Sequence, residues 1–266
     1  MFLPIRDDNP HNTTPVVTWG LIGLCVAVFF LQIGLSDDEA KIAIYSFGII
    51  PADLFGSVEL NPIITPLPAW MTIFTSMFLH GGWLHLGGNM LYLWIFGDNV
   101  EASMGHVRFL LFYLACGLVA ALAQSIGAPE STGPMVGASG AVAGVLGAYL
   151  ILHPRANIKV FMWLIIFITV INVPAWIVLG FWFLGQLISQ AGANTGEPGV
   201  AFLAHIGGFI AGVVLIFKMR KPGVPLFGKR ASRAFAVETR RAASRRRGGS
   251  VPSSGSDSSD SNGPWG

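Results

Sequence analysis

Hydrophobic residues run along this chain in long uninterrupted blocks, not in the alternation of a half-buried strand. Charge-free apolar stretches cover Val16–Leu35, about His80–Gly97, Phe109–Gly127, Gly133–His153, Val160–Gly196 and Pro198–Phe217. Most approach the ~20 residues that a helix needs to cross ~30 Å of hydrocarbon. The fifth stretch is too long for one helix and contains Pro174. Its first part, Val160–Val173, would reach only ~21 Å at ~1.5 Å per residue. That is too short to cross, so it reads as an interfacial or re-entrant segment. Proline suits the first turn of a helix, which puts the fifth span at Pro174–Ala191. The pattern predicts an all-α integral membrane protein, a bundle of six transmembrane helices. A membrane β-barrel would show alternation instead of continuous runs.

Composition agrees with the pattern. Hydrophobic residues make up 53% of the 266 positions and charged residues only 11%, against ~25% charged in soluble domains. Mean hydropathy is +0.62. These values exclude a disordered chain and a nucleic-acid-binding domain. Charge placement orients the bundle. With six spans, fifteen of the sixteen Lys and Arg residues fall on one side: Arg6, Arg108, Arg155, Lys159 and the basic residues from Lys218 onward. Lys41 alone lies opposite, beside Asp37, Asp38, Glu39, Asp53, Glu59, Glu130 and Glu197. The positive-inside rule then places both termini in the cytoplasm. A seventh crossing at Val160–Val173 would send the basic tail outside.

Three segments follow: a cytoplasmic N-terminal segment over 1–15, a six-span domain over 16–217, and a basic tail over 218–266. From Gly228 the tail turns to Arg clusters and Ser/Gly/Asp runs, which predicts disorder; Arg240, Arg241 and Arg245–Arg247 suit anionic lipid as well as topology anchoring. No cleavable signal is expected, because Val16–Leu35 is too long for a typical signal core and no A-x-A site follows. Cys25 and Cys116 sit inside apolar runs and read as buried, inert thiols. Ser36–Trp70 is the one long external connection, rich in proline and acids.

The spans hold few polar groups. No Asp, Glu, Lys or Arg lies at mid-membrane, where a pump or transporter would keep one. The polar groups that enter are His80, His85, Asn89, Ser139 and His205, with Asn172 in the short segment and Gln186 further on. Ser139 lies about five residues into the fourth span and His205 about six into the last, while His85 and Asn89 occupy the first turns of the second. All enter from the external side, so at ~1.5 Å per residue they share one layer ~7–10 Å below the surface. His85 and Asn89 are four apart and face the same way. Small residues surround Ser139, from Gly137 and Gly140 to Gly144, and His205 shares a helix face with Gly208 and Gly212. Such faces let membrane helices approach closely. Packing Ser139/Ala143/Gly147 on His205/Gly208/Gly212 would bring hydroxyl and imidazole together. An imidazole that takes the serine proton would make Ser139 a nucleophile, and N–H groups at a helix start stabilise an oxyanion. No metal is expected, since the layer holds neither HExxH nor a carboxylate.

The segments His80-Gly-Gly-Trp-Leu-His85-Leu-Gly-Gly-Asn89, Gly137-Ala-Ser139-Gly-Ala and Ala204-His205-Ile-Gly-Gly208 with Gly212 resemble, in order, the signatures of rhomboid intramembrane serine proteases. The resemblance extends from about Phe47 to Phe217 and takes in Glu101, Gly105, Arg108 and Phe109. It implies a six-helix rhomboid-like bundle with a Ser–His dyad, Ser139 as nucleophile and His205 as general base. It also implies an oxyanion hole of His85, Asn89 and the Ser139 N–H. The partners implied are transmembrane-helix protein substrates in a lipid bilayer, with no cofactor and no metal. A bacterial or archaeal plasma membrane is the expected location. Two departures stand out. Ser36–Trp70 has no arginine where many members carry a Trp-Arg pair. Ala143 stands where some members place an aromatic ring under the histidine, so the sequence names nothing to support the His205 ring. The alternatives are a catalytically inactive, derlin-like relative that binds clients, disfavoured because Ser139 and His205 are both retained, and a small-solute transporter, disfavoured by the missing membrane charges.

Overall fold

The structure is a computed structural model that describes residues 2–9, 13–58, 60–61, 64–164, 167–192 and 201–228. The long apolar runs become helices: α1 (Val16–Ile33), α5 (Trp83–Met104), α6 (His106–Gly127), α7 (Ser139–Leu152), α8 (Ala175–Gly192) and α9 (Phe202–Met219). Between α1 and α5 lie α2 (Asp37–Phe47), α3 (Pro51–Leu54) and α4 (Ala69–Thr75), followed by a 3-10 turn at Ser76–Phe78. Among these helices, α1, α6, α8 and α9 are each long and apolar enough to cross a membrane. The chain is a mostly helical, multi-pass integral membrane protein.

The other two long elements depart from the sequence boundaries for physical reasons. α5 runs to Met104, past the expected end at Gly97, and carries Asp98 and Glu101 in its last two turns. Glu101 is fully buried. Its carboxylate accepts hydrogen bonds from the Val17 N–H (2.9 Å), the Thr18 N–H (2.7 Å) and the Thr18 hydroxyl (2.6 Å). His106 Nδ1 lies 2.6 Å from the same group. The first N–H groups of α1 have no partner within their own helix. A carboxylate borrowed from α5 satisfies them and complements the positive end of the helix dipole. Gly105 then turns the chain from α5 into α6 at φ 84°, a backbone region that side chains other than glycine disfavour.

α7 has only 14 residues, eleven of them buried. It starts six residues later than the apolar stretch that contains it, because Gly133–Ala138 approaches in non-helical form. A helix enclosed by protein need not match the hydrocarbon thickness, and non-helical backbone at membrane depth is tolerated where protein covers it. Around α7 gather Phe96, Phe109, Phe112, Tyr113, Cys116 and Ile216, all fully buried. Cys25 is likewise sealed in the core.

The expectation of an all-α chain needs correction at Val160–Val173. This segment forms most of an antiparallel hairpin, β2 (Asn157–Leu164) and β3 (Phe167–Pro174). The N-terminal β1 (Phe2–Asp7) adds antiparallel to β2, giving the order β1-β2-β3. The residues favour this outcome: Ile158, Val160, Ile168, Thr169, Val170, Ile171 and Val173 are β-branched. A sheet with open edges cannot face lipid, where its unpaired N–H and C=O groups would stay unsatisfied. The sheet is fastened to the bundle through polar contacts. Tyr149 donates its hydroxyl to Asp7 at 2.6 Å, Asn99 donates to Asp7 at 2.9 Å, and Asn157 donates to Asp8 through both its backbone and its side chain. Pro174 ends β3, so the fifth long helix begins one residue later than expected. The tail from residue 229 and the segment 193–200 before the last helix lie outside the described residues, including the expectation of disorder.

The Ser36–Trp70 connection is more ordered than its composition suggests. Ser36 and Glu39 form a reciprocal cap on α2, an arrangement that satisfies two orphan N–H groups. The Ser36 hydroxyl and N–H donate to the Glu39 carboxylate and hold its pKa below the usual carboxylate range. Downstream, Ile49 and Met135 exchange backbone hydrogen bonds of 3.0 and 2.7 Å.

Replacing Glu101 by Ala removes the acceptor of α1 and leaves its N–H groups buried and unpaired. A loss of about 2–4 kcal/mol is expected, read as a lowered midpoint in unfolding of the detergent-solubilised protein. An unchanged midpoint would mean that α1 is capped by something else.

Candidate active site

Glycine decides how the site is assembled. A methyl group at Gly208 would run into the Gly140 carbonyl oxygen, and one at Gly212 into the Gly144 carbonyl oxygen. At Gly147 it would meet the Phe209 carbonyl. The backbones of α7 and α9 therefore touch directly, as small residues permit between membrane helices. The contact line on α7 is Gly140/Gly144/Gly147, one step round from the expected Ser139/Ala143/Gly147 face. Gly147 is common to both. α6 closes the third side: Ala120 lies against Gly140 and Gly208, and Cys116 against Gly144. Gln124 on α6 accepts from the Ala204 N–H at 3.3 Å, tying down the start of α9.

Ser139 is the first residue of α7 and His205 the fourth of α9. The crossing brings them together, with Ser139 Oγ 2.8 Å from His205 Nε2. His205 is 9% exposed, and Ser139 is half-buried at the mouth of the helix contact. As the first helical residue, Ser139 keeps a backbone N–H outside the helical ladder.

The approach to Ser139 is fixed from two sides. Ile49 holds Met135, and the Ser76 carbonyl accepts from the Gly137 N–H at 2.9 Å. Gly137 has φ 127° and lies flat against His85: an added Cβ would stand 2.7 Å from both His85 Cε1 and Nε2. The tautomer of His85 follows from its other nitrogen. The Gly81 N–H donates to His85 Nδ1 at 3.4 Å, which leaves Nε2 as the protonated donor on the side of Gly137 and Ser139. Asn89 is buried one turn further along α5, where one amide hydrogen turns back to the His85 carbonyl at 2.9 Å. The expected oxyanion groups are thus placed unequally. His85 faces the serine turn, while Asn89 is engaged with its own helix.

Four further residues belong to this layer. Gln32 of α1 grips the backbone of His80, donating to its carbonyl at 3.3 Å and accepting from its N–H at 3.1 Å. His80 in turn sets its ring edge-on to His85, with centroids 5.3 Å apart. The His205 ring is supported by Trp182 of α8, at a centroid distance of 5.8 Å and a tilt of 41°. This fills the role that Ala143 leaves open. Trp182 also stacks on Phe209. Gln186, one turn beyond Trp182, places Oε1 2.7 Å from His205 Nδ1. Gln186 stood out in the sequence as a polar group within a span, and Trp182 only by its i, i+4 spacing from it; neither signal says which helix they face. A cleft beside Ser139 is walled by Gly117, Ala120, Ala201 and Ala204, with Met77 and Met135 at its sides.

These features define a multi-pass membrane protein whose helix bundle encloses a serine–histidine pair. A family model described as the rhomboid domain matches residues 68–222, and the chain belongs to the rhomboid family. It is 34% identical to "Rhomboid protease GluP" of Bacillus subtilis over 227 residues, 83% of this chain and 38% of that protein. It is 34% identical to "Rhomboid protein 1, mitochondrial" of Saccharomyces cerevisiae over 152 residues, 54% of this chain and 40% of that protein. "Rhomboid protease GlpG" of Klebsiella pneumoniae is 26% identical over 211 residues, 78% of this chain and 64% of the relative. The chain thus spans between about two fifths and two thirds of the length of these relatives.

Gly212→Ala would place its Cβ far inside contact distance of the Gly144 carbonyl oxygen and is expected to force α7 and α9 apart by about 1 Å or more, at a cost of about 1–3 kcal/mol. The measurement is the unfolding midpoint in detergent, alongside Gly180→Ala on α8 as control, where an added Cβ meets nothing within 4 Å. Equal midpoints for the two variants would contradict the close crossing.

Proposed function

We propose that this protein is an intramembrane serine endopeptidase that hydrolyses peptide bonds of membrane-protein substrates through Ser139 and His205. The observation that carries this reading is the 2.8 Å contact between Ser139 Oγ and His205 Nε2, made by two helices whose backbones touch. Relatives named rhomboid proteases support it. In this mechanism Ser139 attacks the scissile carbonyl while His205 Nε2 takes its proton, then returns it to the leaving amine. The resulting oxyanion meets the Ser139 N–H and His85 Nε2–H, with Asn89 joining once its amide turns from the His85 carbonyl. Water then hydrolyses the acyl-enzyme by the same proton transfers in reverse.

The small-residue cleft beside Ser139 suits a substrate with a small side chain at the cut. A transmembrane helix hides its carbonyls in its own hydrogen bonds, so substrates with helix-breaking residues near the site are favoured. Six crossings, with both termini cytoplasmic, give the topology. Three contacts support this arrangement. Asp8 bonds to Asn157, Lys221 donates its backbone N–H to the Ser103 carbonyl at 2.8 Å, and Gly228 donates to Leu152 at 3.0 Å. These gather the segments bearing Arg6, Lys159 and Lys221 at one end of the bundle, the end that the positive-inside rule assigns to the cytoplasm. Residues 16–217 form the catalytic domain in this reading, flanked by 1–15 and the basic 218–266, in a bacterial or archaeal plasma membrane.

Ser139→Ala and His205→Ala should each lower kcat on a reconstituted single-span substrate by ~10³-fold or more, and the double variant should be scarcely worse than either. Ser139→Ala removes one hydroxyl beside Ala138 and Gly140, so its unfolding midpoint should match the wild type. A folded Ser139→Ala protein that cuts at the wild-type rate ends the serine-protease reading. Asn89→Ala should weaken cleavage without abolishing it, by ~10²–10³-fold in kcat, because Asn89 is one donor among several; a loss as complete as that of Ser139→Ala would assign it a larger part.

A further inference from the structure

His205 uses both ring nitrogens, and only one of its bonds is accounted for by the proton transfer above. To accept a proton from Ser139, Nε2 must present a lone pair, which requires the ring proton to sit on Nδ1. A buried Nδ1–H needs an acceptor. In many hydrolases that acceptor is a carboxylate, but among the described residues no Asp or Glu faces His205. What faces Nδ1 is Gln186 Oε1, at 2.7 Å.

An amide has two unlike ends, and its orientation is settled by what the other end meets. Gln186 Nε2 donates to the Trp182 carbonyl at 3.4 Å, one turn back on α8. Reversing the amide would set its oxygen against that carbonyl oxygen, two acceptors face to face. It would also turn an N–H toward Nδ1, move the ring proton to Nε2 and aim it at Ser139. Only one direction satisfies every group: Ser139 O–H to Nε2, Nδ1–H to Gln186 Oε1, and Gln186 N–H to the Trp182 carbonyl. The Trp182 ring beneath the imidazole restrains its rotation.

We propose that Gln186 is a positioning residue of the Ser139–His205 pair: it holds His205 in the Nδ1–H tautomer with Nε2 turned to Ser139. This inference rests on the reading of Ser139 and His205 as the reacting pair. Gln186 acts without carrying charge. An ionised acid would be costly to keep at this depth of the bilayer, whereas an amide supplies the acceptor and remains neutral. Loss of the acceptor frees the ring to adopt the unreactive tautomer, which lowers the competent fraction without touching the groups that hold substrate. The effect belongs in kcat.

The test uses full-length protein in lipid bilayers with a fluorogenic single-span substrate. Gln186→Met keeps the volume and removes the acceptor; Gln186→Glu keeps an acceptor oxygen. The expected result is a kcat lowered ~10–100-fold in Gln186→Met with KM within about threefold of wild type, and substantial recovery of kcat in Gln186→Glu at neutral pH and above. A second arm needs no activity. Nitrogen-15 spectra of labelled imidazoles, with His205→Ala used to assign the resonances, should show wild-type His205 protonated at Nδ1 and a mixed tautomer in Gln186→Met. Wild-type kcat in Gln186→Met, or a wild-type His205 protonated at Nε2, overturns the proposal. If Gln186→Met fails to insert, the wild-type spectrum alone decides. Ser139→Ala in the same assay separates the two levels: full activity there would remove the protease reading itself, whereas an inactive Ser139→Ala beside a fully active Gln186→Met removes only the role of Gln186.

Discussion

Backbone contact between α7 and α9 is the constraint on which the site depends. Within a bilayer, apolar side chains gain little by leaving lipid for one another, so association relies on close packing. Each atom pair contributes only ~0.1–0.2 kcal/mol, and a gap of half an ångström forfeits much of that. Gly140, Gly144 and Gly147 on one helix, with Gly208 and Gly212 on the other, remove every side chain that would hold the backbones apart. The geometry then has little slack. Ser139 and His205 stand at the outer end of this contact, so their separation is inherited from glycines up to two turns away.

A second constraint is the exclusion of charge. The layer around Ser139 is built from a hydroxyl, imidazoles and amides, and its hydrogen bonds run through neutral groups. Among the described residues, the carboxylates that tie one element to another in the bundle include a cluster away from this layer. There Glu101 collects the N–H groups of α1, and Asp7 and Asp8 fasten the sheet. The same chemical need, an acceptor for a buried donor, is thus met by a carboxylate near the polar interface and by an amide at depth.

Much of this was legible in the residues. Apolar runs of span length announced the long helices, and the depth of Ser139 and His205 below a common surface predicted their meeting. The boundaries were less legible. Glu101 lies inside α5 because its charge is neutralised by a neighbouring helix, which no local pattern reports. Val160–Val173 has the hydropathy of a helix, and its folding back on itself as a hairpin, extended by Phe2–Asp7, makes it a sheet. The support for His205 was sought at Ala143 on α7 and is found at Trp182 on α8, because the rotation of α8 about its axis is set by tertiary contacts. The Ser36–Trp70 connection read only as rich in proline and acids, yet it presses Ile49 onto Met135 and so fixes the turn that delivers Ser139.

The β1–β2 pairing has a consequence for biogenesis. Asp8 and Asn157 are 149 positions apart in the chain. At ~5–20 residues per second the ribosome needs roughly 7–30 s to supply the partner of a strand it has already released. α1, α5, α6 and α7 all emerge in that interval. The strand Phe2–Asp7 therefore waits unpaired until four long helices have emerged, while α8 and α9 are still to be made. During the wait its hydrogen-bonding edge stays open to chaperones and to the ribosome surface. Maturation of this protein thus includes a delayed step that joins Phe2–Asp7 to the middle of the chain.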